Sequence, residues 1–327
     1  MSAETVRHEL SLYRQLGSSG LMVSATGLGC NTFGVTAAPE TVGGIVAAAL
    51  DEGITFFDTA DVYGAVPGQS EELLGAALGG HRDDVVLATK FGMDAHGLNG
   101  ADWGARGSRR YVRRAVEGSL RRLRTDRIDL YQLHAPDPWT PVSETLQALD
   151  ELVAEGKVRY VGSSNLAAWQ VADADWTARE QRTVRFVSAQ NEYNLLRRAA
   201  ERDLLPAARR FGVGLLPYYP LASGLLTGKY RRGEPAGADT RLARHPDRLR
   251  AADFDVIDSL SLLAGEWGVP LLSLAFGALS ARPEVASVIA GARTADQVRA
   301  NARAARWTPT AEQCRRIDEV SSSASPN

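Results

Sequence analysis

Short apolar runs rich in β-branched and aromatic residues alternate along this chain with longer segments whose apolar positions recur every three to four residues. The first kind suits strands buried on both faces, the second amphipathic helices packed against a sheet. Strand-like runs fall at residues 26–30, 54–58, 85–90, 128–134, 158–163, 187–190, 213–218 and 285–290, preceded by a hairpin pattern at 13–16 and 21–24 around the turn GSSG. Helical periodicity covers 41–52, 70–78, 108–123, 142–155, 167–178, 201–211, 253–267, 271–280 and 295–304, and one more helix is expected at 310–320.

Strand followed by helix, over and over, predicts a parallel sheet with helical crossovers. Eight such units in 327 residues fit an α/β fold of the closed (β/α)8 TIM type better than an open doubly wound sheet. The hairpin and the last helix are then additions at the two ends. No linker-like change of composition divides the chain, so residues 13–322 are expected to form one barrel domain, with a flexible segment at 1–12 and a disordered Ser-rich tail at 323–327. Two long loops, 91–107 and 221–250, are rich in Gly, Asp and Arg and follow strands, which places them on the C-terminal face where binding loops belong.

Composition narrows the function without naming it. With 37 basic against 39 acidic side chains and a formal charge of −2, the chain carries no electrostatic footprint for nucleic acid. The arginine-rich stretch 109–127 carries Leu, Val and Ile at helical spacing and reads as a solvated helix face. The two cysteines, Cys30 and Cys314, lie far apart without a CxxC or a histidine cluster, so neither a disulfide framework nor a metal site is expected. The N-terminal residues lack an apolar signal core, and the longest apolar runs are shorter than the ~20 residues a spanning helix needs. A cytoplasmic location and no membrane partner are therefore expected.

The chemistry collects where the apolar runs stop. They end in functional groups: ITFFD at Asp58, VVLATK at Lys90, LYQLH at His134, VGSSN at Asn165, VSAQ at Gln190 and VGLLPY at Tyr218. In a barrel these side chains converge on one mouth, with Tyr63 in a loop above them. Only three of the 37 basic residues are lysines, so Lys90 stands out as an ammonium whose pKa its surroundings can tune. Asp58 either caps the turn into DVYG or holds Lys90 charged. An ammonium beside the Tyr63 phenol is expected to pull the phenol's pKa down from ~10, making it a usable acid. His134 donates to a carbonyl oxygen, relays a proton, or is simply packed on its strand.

In these residues the sequence resembles the aldo-keto reductases: FFDTADVYG, LATKFG, LYQLHAPD, RYVGSSNLAAW, AQNEYNLL, PYYPLASGLLTGKY and SVIAGARTADQVRAN follow in family order across about residues 13–301. The resemblance implies a metal-free barrel that reduces an aldehyde or ketone with NADPH. The implied catalytic set is Asp58, Tyr63, Lys90 and His134, with Tyr63 as proton donor. Ser164, Asn165 and Gln190 are implied to hold the nicotinamide amide, and Tyr218 to stack on its ring. Pro220, Leu221, Ser223, Gly224, Leu225 and Lys229 would wrap the pyrophosphate while Arg241 closes over it. The adenosine end would lie on Gly291, Arg293, Gln297 and Asn301, with Arg293 on a 2′-phosphate, although Ala300 stands where the family often has Glu.

Two glycine-rich segments test other cofactor classes and fail. GLGCNTFG has the wrong spacing for a dinucleotide fingerprint, and GLLTGKY falls one residue short of a P-loop. The substrate pocket is expected from loops 91–107 and 221–250, with Phe33 and Trp103, and also Trp139 and Trp169, as aromatic walls around a small-molecule carbonyl. Bulky steroids are not expected; deoxysugar ketones are one candidate class. Two other functions remain open: a barrel aldolase or isomerase using Lys90 as a Schiff base, and a non-catalytic nucleotide-sensing subunit. Oligomeric state and reaction direction are not assigned.

Overall fold

The computed structural model describes residues 12–237 and 240–322. The expected flexible start and disordered tail lie outside the described residues, apart from Leu12. A hairpin of β1 (Tyr13–Gln15) and β2 (Met22–Ser24) precedes eight parallel strands: β3 (Thr26–Gly29), β4 (Phe56–Asp58), β5 (Val86–Phe91), β6 (Ile128–Leu133), β7 (Val158–Ser164), β8 (Ser188–Gln190), β9 (Gly214–Leu215) and β10 (Val288–Gly291). They pair in the order β10-β3-β4-β5-β6-β7-β8-β9. A parallel bridge between Leu215 and Val285 joins the two ends, supported by bonds from Ala286 N to Leu215 O and Ile289 N to Pro217 O. The fold is the (β/α)8 barrel.

Helices α1 (Val42–Asp51), α2 (Gln69–Leu78), α3 (Arg109–Leu123), α4 (Val142–Ala154), α5 (Ala168–Gln181) and α6 (Leu204–Phe211) follow successive strands. After β9 come a short α7 (Pro246–Arg250), α8 (Phe254–Glu266) and α9 (Leu271–Ser280), then α10 (Ala295–Ala304) and α11 (Ala311–Ser321). The short α7 is absent from the sequence expectation. Helix α6 starts three residues later than its periodicity suggests, because Ala199–Glu201 forms a separate 3-10 turn and Pro206, which has no N–H to give, suits the first turn of a helix. No single described helix is long and apolar enough to cross a membrane.

The period of two along the strands sorts side chains into two compartments. Phe56, Ala88 and Leu130 point into the barrel, where they join Leu16, Leu21 and Val23 of the hairpin in a cluster that plugs the N-terminal end. Phe57, Leu87, Phe91, Tyr131 and Leu133 belong to the larger core between sheet and helices. The same parity sends Asp58, Lys90 and Gln132 inward, one layer above the plug. Loop 221–250 packs with α8, α9 and α11 on a third cluster that includes Leu226, Tyr230, Leu242 and Ile317.

Room for this polar layer depends on Gly162, the register partner of Gln132. A Cβ there would lie 2.1 Å from the Ser188 hydroxyl and 3.2 Å from Gln132 Cγ. Gly162→Ala is expected to destabilise the protein by about 1–3 kcal/mol, as overpacking does, measured by urea denaturation, and to disturb Gln132. A variant as stable as the parent would show that the layer has slack.

Candidate active site

Asp58 ends β4, Lys90 is the penultimate residue of β5, and His134 follows β6, its N–H bonded to Phe91 O at 2.7 Å. The Lys90 ammonium is fully buried and donates to Asp58 Oδ2 at 2.6 Å, to Thr59 O at 2.9 Å and to the Tyr63 hydroxyl at 3.4 Å. Asp58 thus holds Lys90, and the alternative of a simple turn cap falls away. Tyr63 comes from the turn after β4, fixed by bonds from its own N–H to Ala60 O and from Ser70 N to Tyr63 O. Its ring meets His134 edge-on at 5.6 Å. The four expected catalytic residues are therefore brought together at one mouth.

The second carboxylate oxygen of Asp58 accepts two amides, from Gln132 at 3.1 Å and Gln190 at 2.9 Å. Gln132 escaped the sequence reading, although it has the same inward parity as His134 two residues on. Gln190, expected on the nicotinamide, spends one amide hydrogen on Asp58.

The electrostatics correct one expectation. Burial raises the Tyr63 pKa above the ordinary tyrosine value, and the nearby Lys90 charge only partly offsets it. In this structure the phenol keeps its proton more firmly, not less. Burial works against the charge of Lys90, but Asp58 and Tyr63 together outweigh it and the pKa is raised. Burial, followed by repulsion from Lys90, holds His134 well below its ordinary value, so the imidazole is neutral. Its Nδ1 is buried without a hydrogen-bond partner. The tautomer protonated on Nε2 then leaves only a lone pair unsatisfied, and gives the other nitrogen an N–H for an oxygen acceptor. A charged, fully buried Lys90 is a poor nucleophile, which weighs against Schiff-base chemistry.

Beyond the four, a polar chain runs along the barrel rim. Ser164 donates to Gln190 O, Asn165 donates to His134 O at 2.9 Å, and Tyr218 donates to Asn165 Oδ1 at 2.8 Å. Tyr219 packs edge-on against Tyr218, and Arg241 lies over the Tyr219 ring at 4.8 Å while donating to its hydroxyl. Tyr219, Ala222, Ser223 and Gly224 all have positive φ, at 51°, 46°, 59° and 96°. Leu221 is half-buried; Pro220 and Leu225 are buried, leaving only backbone to offer a ligand, and Lys229 is exposed. Gly291 ends β10, and Gln297 Oε1 accepts from Arg293 N at 2.9 Å, closing the start of α10 together with Thr294. Asn301 is buried one turn further on.

The expected aromatic walls divide. Phe33 is fully buried in the main core, so it offers no surface to a substrate. Trp103, in the loop after β5, is 78% exposed with Arg110 stacked on it at 4.7 Å, and Trp139 and Trp169 are exposed after β6 and β7.

The profile of the aldo/keto reductase family matches residues 25–322, and the chain belongs to that family. Its relatives include the uncharacterized oxidoreductase YrpG of Bacillus subtilis, 38% identical over 94% of this chain and 95% of the relative. A probable voltage-gated potassium channel subunit beta of Oryza sativa is 36% identical over 89% of this chain and 90% of the relative. The L-glyceraldehyde 3-phosphate reductase of Escherichia coli is 34% identical over 92% and 90%. Fold, site and family together define an oxidoreductase of the aldo-keto reductase type.

Removing one partner of a buried ion pair costs about 3–5 kcal/mol. Asp58→Asn should show a loss of that size in urea denaturation at neutral pH, and Lys90→Met on the same background should recover much of it. The pair's contribution is present at neutral pH and is lost as pH rises through the raised Lys90 pKa, so the wild-type advantage should shrink in strong alkali. A mild Asp58→Asn effect at neutral pH would mean that Lys90 is held by something else.

Proposed function

We propose that the protein reduces an aldehyde or ketone to an alcohol with NADPH, Tyr63 giving the proton. The observation that carries this reading is the buried line Asp58, Lys90, Tyr63, with spacings of 2.6 and 3.4 Å, beside a neutral His134.

The residues present fit a dinucleotide. Residues 219 and 222–224 form a tight turn of positive-φ backbone after β9, with the Ala222 and Gly224 N–H groups bonded inside it to Tyr219 O and Leu221 O. Non-glycine residues held there cost of order 1–3 kcal/mol each, a strain that clusters at ligand clamps. Residues 220–225 and Lys229 would hold the pyrophosphate, Arg241 would cover it, and Ser164, Asn165, Gln190 and Tyr218 would seat the nicotinamide. Arg293, Gln297 and Asn301 would take the adenosine end, the Arg293 guanidinium meeting a 2′-phosphate as a fork near the start of α10. Bound NADPH supplies the hydride.

This chain's own groups manage the proton. His134 donates to the carbonyl oxygen and aligns it. Tyr63 stays protonated at neutral pH because burial favours the neutral phenol, and it gives that proton as negative charge develops on the oxygen. Lys90 stabilises the phenolate left behind, and Asp58 keeps Lys90 in place for it. The substrate would be a small carbonyl compound against the loop bearing Trp103, and deoxysugar ketones suit an aromatic platform of that kind.

A second reading is favoured by the relatives named as potassium channel beta subunits. It makes the protein a nucleotide-sensing subunit. Cofactor binding without turnover across a broad carbonyl panel would support it.

Titration with NADPH and NADH, followed by tryptophan fluorescence, comes first. Arg293→Ala should weaken NADPH by roughly 10- to 150-fold, the size of a lost charged hydrogen bond, and leave NADH unchanged; equal weakening of both would remove the phosphate role. Tyr63→Phe should bind NADPH as the parent does while losing at least ~10² in kcat, and normal turnover would end its part as acid. In the parent enzyme kcat should stay level through neutral pH, falling only in alkali above the ordinary tyrosine range of ~10, because Tyr63 and Lys90 are raised and His134 is lowered.

A further inference from the structure

On the outer side of β5 and β6, back to back with Lys90 and Gln132, lies a second buried polar cluster that the reaction does not use. Thr89 donates to Glu71 Oε1 at 2.6 Å, and Arg122 of α3 donates to Glu71 Oε2 at 2.7 Å. Asp61, two residues before Tyr63, is fully buried, and its N–H bonds to Lys90 O at 3.1 Å. Asn99, from loop 92–107, donates both amide hydrogens: to Asp61 Oδ2 at 2.7 Å and to the Tyr111 hydroxyl at 3.2 Å. Asp61 Oδ1, Asn99 Oδ1 and the Tyr131 hydroxyl are buried without partners. Each such atom costs free energy, so a cluster of them asks for a reason beyond packing.

The reason lies in what Asn99 connects. Loop 92–107 carries Trp103 at the mouth, and the side-chain bonds of Asp94 and Asp102 with Arg106 stay inside that loop. The Asn99 amide instead reaches the turn that presents Tyr63. We propose that Asn99 and Asp61 form a clasp that sets the substrate-side loop against the catalytic turn, making both of them positioning residues for the carbonyl substrate. The kinetic part rests on the reductase reading, while the clasp itself does not.

The clasp responds to pH. Burial and the Glu71 charge push the Asp61 carboxyl up to about 7, against the Asn99 bond, Arg122 and Lys90. The hydroxyls of Tyr111 and Tyr131, also in this cluster, are raised by burial and stay neutral. Below that pH the neutral acid suits its dry surroundings, whereas above it the buried carboxylate is destabilised relative to water, and an opening of the loop that hydrates it relieves this. The loop should therefore loosen as pH rises.

The test is hydrogen exchange of peptides from loop 92–107 at pH 6 and 8, corrected for intrinsic rates, in the parent, Asn99→Ala and Asp61→Asn. The parent loop should exchange faster at pH 8 than at pH 6, Asn99→Ala fast at both, and Asp61→Asn equally at both. With a carbonyl substrate, Asn99→Ala should raise KM on the order of tenfold, as for a lost charged hydrogen bond, with kcat and NADPH affinity little changed. Asp61→Asn should remove the pH dependence of KM near neutrality. Parent-like loop protection in Asn99→Ala, or a parent-like pH response in Asp61→Asn, overturns the clasp. Tyr111→Phe, which deletes only the hydroxyl taking the second Asn99 bond, serves if Asn99→Ala does not fold: a partial rise in loop exchange supports the clasp and no rise overturns it. If the parent reduces no carbonyl, the reductase reading fails and the exchange measurements still decide the clasp.

Discussion

The buried ion pair of Asp58 and Lys90 organises the barrel as well as its site. A fully buried ammonium and its carboxylate each lose hydration worth several kcal/mol, and their attraction offsets this only when the remaining bonding capacity is filled. Here it is filled from three strands. Thr59 O, just past β4, takes a second ammonium proton, and Gln132 of β6 and Gln190 of β8 cover the other Asp58 oxygen. The registers that pair Asp58 with Ala88, Lys90 with Gln132, and Gln132 with Gly162 must all hold for those bonds to form. A slip of one residue would turn Lys90 into the apolar layer under the helices and bring Thr89 or Phe91 into the mouth.

That dependence explains what could be read from the sequence. Strands ending in Asp58, Lys90 and His134 were visible because apolar runs stop abruptly at groups that cannot be buried alone. Their convergence was visible because eight parallel units leave one face for strand ends. Gln132 was hidden inside LYQLH, where an amide among apolar neighbours gives no composition signal, and only its parity with His134 could have pointed to it. The boundary of β9 was hard to read for a related reason. Residues 213–218 are apolar throughout, yet only Gly214–Leu215 forms ladder, and beyond it Leu216 N bonds to Ala189 O and Tyr218 forms an isolated parallel bridge with Glu192. Phe33 misled because an aromatic near a mouth looks the same in sequence whether it faces ligand or core.

The arginine-rich helix α3 shows the same ambiguity from the charged side. Arg109 and Arg113 pair with Glu151, and Arg110 lies over Trp103, as a solvated face would allow. Arg122 departs from that face. It turns inward to a fully buried Glu71, so one residue of a surface stripe neutralises a carboxylate in the outer cluster. Periodicity reads the helix; it does not tell which arginine has a buried partner.

The corrected Tyr63 pKa changes what Lys90 does. The proposed acid, holding its proton until substrate arrives, would gain from a raised pKa, which burial chiefly supplies. In the proposed reaction the cation beside it would act mainly on the state after transfer, when charge would sit on the phenol oxygen 3.4 Å from the ammonium. Stabilising that state rather than the resting one is what accelerates a proton transfer. In the resting state Lys90 lowers the Tyr63 pKa only part of the way back from its burial-raised value. Held by Asp58, itself fixed by two amides, the ammonium would already be in place when that charge appears, with no reorganisation left to make.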